Sequence, residues 1–171
     1  MIKLVSAVLL ALTFASAATN VRAQASLEMP QGAELLVVSG EISQTNVGET
    51  AVFDRDMLVE LGGTKIQTTT IWTEGVQEFE GVALDRLLAE LGVTEGTLRA
   101  TAINDYTVEI PVSDAVEGGP IIAYSVDGKP MSVRDKGPLW VIYPYDSGAQ
   151  YRSEVIYSRS IWQLDRIEVV K

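Results

Sequence analysis

The chain has 171 residues, of which 23 are acidic and 13 basic, so its net charge at pH 7 is −10, and it contains no cysteine and no histidine. This negative charge argues against binding to nucleic acid or to anionic membrane surfaces, because both need clustered Lys and Arg. Without His and Cys, nucleophilic sites of the Ser-His-Asp and Cys-His types are excluded, and disulfides cannot contribute to stability.

The N-terminus has the pattern of a secretory signal. Lys3 is followed by the apolar run Leu4–Ala18, which is short for a membrane span and ends in small residues. Cleavage is predicted after Ala23, with Ala17 as the alternative site, and an uncleaved amphipathic anchor is the competing interpretation. The mature chain, residues 24–171, would be exported to a bacterial periplasm with 11 basic and 23 acidic residues, a net charge of −12. Its length and lack of repeats predict one domain.

The first half of the mature chain predicts two strands and two short helices. Residues 34–40 (ELLVVSG) and 65–72 (KIQTTTIW) have the composition of strands. In FDRDMLVELGG, Asp54 stands at the N-cap of a helix that two glycines would end. The segment FEGVALDRLLAELGV predicts the clearest amphipathic helix, because its leucines have helical spacing and Gly92 follows at the C-terminal cap. These leucines are Leu84, Leu87, Leu88 and Leu91.

The second half predicts short strands in the segments LRATAIN, YTVEIPV, PIIAYSV, LWVIYP and SIWQLDRIEVV. Asp127-Gly128 follows the third of them and suits a type I′ hairpin turn, in which both central residues have positive φ. The whole pattern predicts an α+β fold that is mostly β, with mixed sheets and two or three short helices. Strands at this spacing alone are typical of a sandwich or a barrel.

Four segments occur in an order that resembles a known family. They are FEGVALDRLLAELGV, NDYTVEIPVSDA, IIAYSVDGKPMSVRDKGPLWVIYP and IWQLDRIEV. In this order they resemble the molybdopterin-binding domain of the sulfite oxidase type, from about Gly32 to the C-terminus. The resemblance implies the fold of that domain and a pocket for a pterin.

The sequence departs from that family where the metal and the phosphate would bind. In the family's enzymes a cysteine from the strand before the helix ligates molybdenum, but residues 68–71 occupy that region here and read Thr-Thr-Thr-Ile. A threonine hydroxyl cannot match a thiolate as a ligand to a high-valent metal. Two basic positions of the family correspond to Trp140 and Ile161, and Arg159 is the cation that remains nearby. The resemblance thus implies a small stand-alone member with no metal site and no catalytic residue.

A pterin is a flat ring that needs an aromatic face, an acidic side chain for its amino-pyrimidine edge, and backbone groups from turns. The candidate ligand-binding residues are Trp72, Asn104, Asp105, Tyr106, Tyr143, Tyr145, Asp146, Arg159 and Trp162.

Several of these candidates have structural alternatives. Trp162, like Trp140, lies in an apolar segment and could pack in the core, as could Tyr143. Asp105 could be an ordinary turn residue, and Arg159 could be a solvated strand residue. Trp72 precedes a turn, which favours a ligand contact.

The resemblance implies a non-catalytic function. Small periplasmic pterin-binding proteins of this fold are thought to present reduced pterins, of the tetrahydropterin type, to a membrane-bound cyclic-dinucleotide enzyme. The partner of this chain would then be the periplasmic domain of an inner-membrane receptor, contacted at the rim of the pocket. Pterin binding would order mobile loops of that rim, such as residues 143–154 (YPYDSGAQYRSE). The alternative is a molybdopterin-binding oxidoreductase subunit, which would be an enzyme. The missing cysteine separates the two hypotheses.

Overall fold

The computed structural model describes residues 27–171, so the predicted signal segment, residues 1–23, lies outside the described residues. The elements are β1 (Leu36–Gly40), β2 (Ala51–Phe53), α1 (Arg55–Glu60), β3 (Gly63–Thr68), β4 (Gln77–Ala83), α2 (Leu84–Glu90), β5 (Thr97–Ala102), β6 (Thr107–Pro111), β7 (Ile121–Val126), β8 (Lys129–Pro130), β9 (Trp140–Ile142), α3 (Glu154–Arg159) and β10 (Leu164–Val170). Short 3-10 turns lie at Val112–Asp114, Val133–Asp135, Tyr145–Ser147 and Ala149–Tyr151. Within residues 27–171 no helix has the length and apolar character that crossing a membrane requires.

The strands form two sheets. The first has the order β2-β1-β10-β5-β6, in which β1 and β10 run parallel and the other neighbours antiparallel. The second has the antiparallel order β3-β4-β7-β8, and β9 also pairs with β7. The prediction of an α+β, mostly β fold with mixed sheets and a few short helices is confirmed.

The predicted amphipathic helix is present but shorter than its sequence segment. Leu84, Leu87 and Leu88 are buried on one face of α2, and each fully buried leucine stabilises the fold by about 1.5–3 kcal/mol. Phe79, at the start of the segment, belongs to β4 instead. Gly81 allows β4 to approach β7 closely there, because a Cβ at this position would lie 2.2 Å from the Ile122 carbonyl oxygen.

The Asp127-Gly128 turn joins β7 to β8 as predicted. The φ angles of the two residues are 48° and 72°, both positive as a type I′ turn requires. The Asp127 side chain also accepts a hydrogen bond from the Glu78 amide at 3.0 Å. The turn is therefore tied to the neighbouring strand β4.

Two segments differ from the sequence prediction. Strand β3 ends at Thr68, so the chain from Thr69 to Trp72 leaves the sheet. Residues 143–154, predicted as a mobile loop, contain two 3-10 turns and lead into α3. Tyr143 and Tyr145 are buried in the core and anchor this stretch, because the hydrophobic effect outweighs its turn-like composition.

Asp54 caps helix α1 as predicted and also fixes the chain before β1. One carboxylate oxygen accepts a hydrogen bond from the Met57 amide at 3.0 Å, and the other accepts from the amides of Gln31 and Gly32, both at 2.7 Å. These backbone N–H groups, that of Met57 first, hold the pKa of the carboxyl below its usual value of about 3.9.

We expect Asp54→Asn to lower the melting temperature at pH 7, because an amide nitrogen cannot accept the two N–H groups of Gln31 and Gly32. A carboxylate whose pKa is lowered by folding contributes stability that is fully present above its unfolded pKa and lost as pH falls through its folded pKa. The gap between wild type and variant should therefore close below about pH 4. Thermal unfolding from pH 7 to pH 2 measures it, with the exposed neighbour Asp56→Asn as control. A gap that stays constant with pH would contradict this assignment.

Candidate functional site

A cavity of about 440 Å³ opens where β5 ends, α3 ends and β10 begins. Its walls are mostly apolar, and within residues 27–171 no charged side chain lines it, although the chain as a whole carries a net charge of −10. The lining residues are Trp72, Ala102, Asn104, Tyr106, Tyr157, Ser158, Ser160, Ile161, Trp162 and Gln163. Aromatic walls with a few neutral polar groups are typical of sites for flat, uncharged ligands.

A second, more open depression of about 580 Å³ lies between α2 and the segment Val112–Val116. No aromatic side chain of the described residues lines it, and Asp85 and Glu95 stand among its walls. A stacked planar ligand finds no ring face there, so the smaller aromatic cavity is the candidate site.

Backbone hydrogen bonds bring the cavity walls together. After β5 the chain turns back at Ile103–Asp105, where the Asp105 amide donates to the Ala102 carbonyl at 2.9 Å. The Ile103 amide donates to the Gln163 carbonyl at 3.0 Å. This bond places the turn after β5 beside the residues that precede β10, so that Asn104 and Gln163 border one space.

Trp72 lies at the centre of a group of aromatic rings. Its ring centroid is 5.7 Å from that of Trp162 and 5.8 Å from those of Trp140 and Tyr157, and all three contacts are edge-to-face. Such pairs contribute about 0.5–1.5 kcal/mol each beyond the area they bury. Trp72 therefore lines the cavity and also packs against other aromatic side chains, whereas the sequence favoured a ligand contact alone.

The side chains of two other aromatic lining residues are exposed in part. Tyr106 is 57% exposed and Trp162 is 38% exposed, and both line the cavity. A planar ligand that enters the cavity can cover these surfaces without disturbing the core.

Ser160 is a lining residue whose polar groups serve the fold. Its hydroxyl accepts a hydrogen bond from the Tyr145 hydroxyl at 2.7 Å and donates to the Ile156 carbonyl at 2.8 Å. Its carbonyl accepts from the indole N–H of Trp140 at 3.1 Å. Ser160 therefore fixes two aromatic side chains behind the cavity wall.

Of the candidates from the sequence, Trp72, Asn104, Tyr106 and Trp162 line the cavity, whereas Tyr143 and Tyr145 lie in the core. The Tyr143 hydroxyl donates to Asp114 at 2.8 Å, and burial, with help from that carboxylate, raises its pKa. Burial raises the pKa of Tyr145 to about 12. Both hydroxyls hold their protons at neutral pH and act as structural donors.

The three charged candidates also lie outside the cavity lining. Asp105 pairs with Arg166, a cation that the sequence analysis did not connect with it. Arg159 pairs with Asp114 at 2.8 Å. Arg159 and Asp114 are both partly buried, where a charge without a partner is costly, whereas the Asp105 side chain is 85% exposed.

Asp146 has a structural role close to the site. Its carboxylate accepts hydrogen bonds from the amide and the hydroxyl of Thr69 at 2.6 and 2.8 Å, and these bonds, that of the amide first, lower its pKa. The Asp146 amide donates in turn to the Thr68 hydroxyl at 3.1 Å. Asp146 thus holds the end of β3, from which the chain proceeds to Trp72.

Six lining residues were not among the sequence candidates: Ala102, Tyr157, Ser158, Ser160, Ile161 and Gln163. Five of them lie in helix α3 or shortly after it, and this helix was not among the predicted elements. Ser153 was the available signal, because its hydroxyl caps the helix by accepting from the Ile156 amide at 3.3 Å.

A family model described as the oxidoreductase molybdopterin-binding domain matches residues 54–157. This match covers more than half of the chain and confirms the resemblance, over a shorter range than the one that began near Gly32. The matched range includes Trp72, Ala102, Asn104, Tyr106 and Tyr157, whereas the other five lining residues follow it in the chain. Among proteins of curated function, none matches this chain.

Proposed function

The chain belongs to the oxidoreductase molybdopterin-binding domain family, and we propose that it is an exported, non-catalytic protein that binds a reduced pterin of the tetrahydropterin type in the aromatic cavity. In this proposal the bound pterin is a signal, which the protein relays to a membrane-bound cyclic-dinucleotide enzyme. The observation that carries the proposal is the cavity itself, with aromatic walls, neutral polar groups and no charged lining side chain within residues 27–171.

The residues of the chain do not fit a molybdenum centre of the family's usual kind. The chain has no cysteine, and Thr68, in the region where the family has one, is 1% exposed. Its hydroxyl donates to the Thr69 carbonyl at 3.2 Å and accepts from the Asp146 amide at 3.1 Å. Within residues 27–171 no group of three or more carboxylates is arranged to hold a metal ion. The aromatic walls suit an organic ring, whereas the residues provide no ligand set for molybdenum.

Exposed apolar side chains around the cavity support the relay. Two of them, Tyr106 and Trp162, line the cavity. Ile71 and Ile103 are exposed neighbours of lining residues in the chain. Val133 and Val155 are exposed as well, and their backbone carbonyls accept hydrogen bonds from the side chains of two lining residues. Exposed apolar surface that surrounds a site is typical of a protein interface.

The partner that this surface suits is a different protein with a neutral or basic rim. Two copies of a chain with this net charge would repel each other, and an anionic lipid surface would repel it as well. In this arrangement the ligand lies at the interface. The rim of the pocket remains the candidate contact surface, but none of residues 143–154 lines the cavity.

Purification of the protein from the periplasm tests the function. We expect the extracted ligand to show pterin absorbance and fluorescence, with molybdenum far below one atom per chain by elemental analysis. Stoichiometric molybdenum would instead support the oxidoreductase alternative.

A second experiment tests the relay. Solubilised inner membranes are passed over the immobilised protein with and without tetrahydropterin, and the variant Tyr106→Ser tests whether the rim of the cavity contacts the partner. We expect a membrane protein to be retained only when the pterin is present. Equal retention in both conditions would contradict a ligand-dependent interaction.

A further inference from the structure

We propose that Gln163 and Asn104 select ligands whose ring edge carries one amino group and one carbonyl, as the 2-amino-4-oxo edge of a pterin does. This inference rests on the proposed pterin site and assigns the recognition of its polar edge. The carboxylate of Asp105, which the sequence analysis favoured for this role, pairs with Arg166 and does not line the cavity. The cavity offers two side-chain amides instead.

The amide of Gln163 has a fixed orientation. Its nitrogen donates to the Val133 carbonyl at 2.7 Å, and a backbone carbonyl can only accept, so the nitrogen must face it. The side-chain oxygen of Gln163 accepts no hydrogen bond from residues 27–171. This oxygen is therefore free to accept from a ligand in the cavity that Gln163 lines.

The amide of Asn104 is fixed in the opposite sense. Its side-chain oxygen accepts from the Tyr106 amide at 3.2 Å, and a backbone N–H can only donate, so the oxygen must face it. The side-chain NH₂ of Asn104 donates to no group of the described chain. This NH₂ group is therefore free to donate to a ligand in the cavity that Asn104 lines.

Backbone hydrogen bonds hold Gln163 beside the turn that carries Asn104. Gln163 has a φ of 53°, in the left-handed region that residues with a Cβ rarely adopt and that costs about 1 kcal/mol or more. Two bonds maintain it: the Gln163 amide donates to the Lys136 carbonyl, and its carbonyl accepts from the Ile103 amide, both at 3.0 Å. Strain of this kind concentrates at binding sites, where it directs a side chain. The second bond also links Gln163 to the neighbour of Asn104.

This pair of groups distinguishes three rings of nearly equal size and shape. Pterin has an amino group at one end of the pyrimidine edge and a carbonyl at the other, which complements an acceptor and a donor. Lumazine (pteridine-2,4-dione) has carbonyls at both ends, so one of them would face the Gln163 oxygen. 2,4-Diaminopteridine has amino groups at both ends, so one would face the Asn104 NH₂. A mismatch leaves a desolvated polar group without a partner, which costs more than the bond contributes.

Titration of the wild-type protein with these three compounds, by calorimetry, is the first test. We expect pterin to bind about tenfold or more tightly than either lumazine or 2,4-diaminopteridine. Binding of none of the three would overturn the proposed function together with this inference. Equal binding of all three would leave the proposed ring site standing and overturn the inference about its edge.

Two variants then separate the roles. Gln163→Met should reduce pterin affinity about tenfold and abolish the preference over lumazine, while the preference over 2,4-diaminopteridine remains. Asn104→Leu should abolish the preference over 2,4-diaminopteridine and leave the preference over lumazine. Gln67→Met, at an exposed position outside the cavity, is the control and should bind like the wild type. Thermal unfolding verifies that each variant is folded. Variants that lower the affinity for all three compounds by the same factor would overturn the assignment.

Discussion

Trp140→Ala is expected to lower the free energy of unfolding by about 3–5 kcal/mol, the range for removing a large aromatic side chain from a core. Trp140 is 2% exposed, and its ring lies edge-to-face against Phe79 at 5.5 Å between centroids. Its indole N–H donates to the Ser160 carbonyl at 3.1 Å, so the substitution leaves both a void and an unsatisfied acceptor. Urea unfolding monitored by circular dichroism measures the loss.

Trp162→Ala is the matched control for Trp140→Ala, because the two residues form a backbone bridge and their rings are in contact. Trp162 is 38% exposed, so its removal should cost clearly less stability than removal of Trp140. Similar losses for both would contradict the placement of Trp140 in the core and Trp162 at the cavity surface.

Trp72→Ala is expected to weaken pterin binding by about 1–3 kcal/mol and also to lower the free energy of unfolding by about 2–3 kcal/mol. The sequence alone favoured a ligand contact for Trp72 over a structural role. The structure changes that expectation, because the Trp72 ring also packs against Trp140, Tyr145 and Tyr157. Calorimetry and urea unfolding on the same preparations measure the two effects.

Trp72→Phe separates the two effects of the alanine variant. A phenyl ring keeps an aromatic face and most of the packing, so this variant should recover most of the stability and part of the affinity. Unchanged affinity in a folded Trp72→Ala variant would mean that Trp72 supports the cavity wall without contacting the ligand.

Much of the fold could be predicted because its signals are local. Positive φ at Asp127 and Gly128, the cap at Asp54 and the leucine spacing of α2 each act within a few residues of the chain. The boundaries of β3 and α2 could not be predicted, since they depend on pairing with distant strands. Thr68 is the last β3 residue because the next residue, Thr69, bonds to Asp146, which is 77 positions away in the chain.

The candidate site was predicted only in part, for the same physical reason. Trp72, Asn104, Tyr106 and Trp162 could be named because aromatic and amide side chains next to turns are a pattern visible in the sequence. Gln163 could not, because its direction depends on bonds to Lys136 and Ile103. Nothing in the sequence links Asp105 with Arg166, 61 positions later, and this pair directs a promising carboxylate to a structural partner.

The neutral lining of the cavity has a consequence for how the protein would report its ligand. Histidine, whose charge ordinarily changes between pH 5 and 8, is missing from the whole chain, as is the oxidisable thiol of cysteine. None of the lining side chains within residues 27–171 carries a carboxylate or an amine. The walls therefore keep the same electrical and redox state while the outside medium becomes more acidic or more oxidising. A change in affinity across such conditions would come from the ligand itself. If the ligand is the proposed pterin, the protein would respond to the oxidation and protonation of the pterin and not to changes in its own side chains.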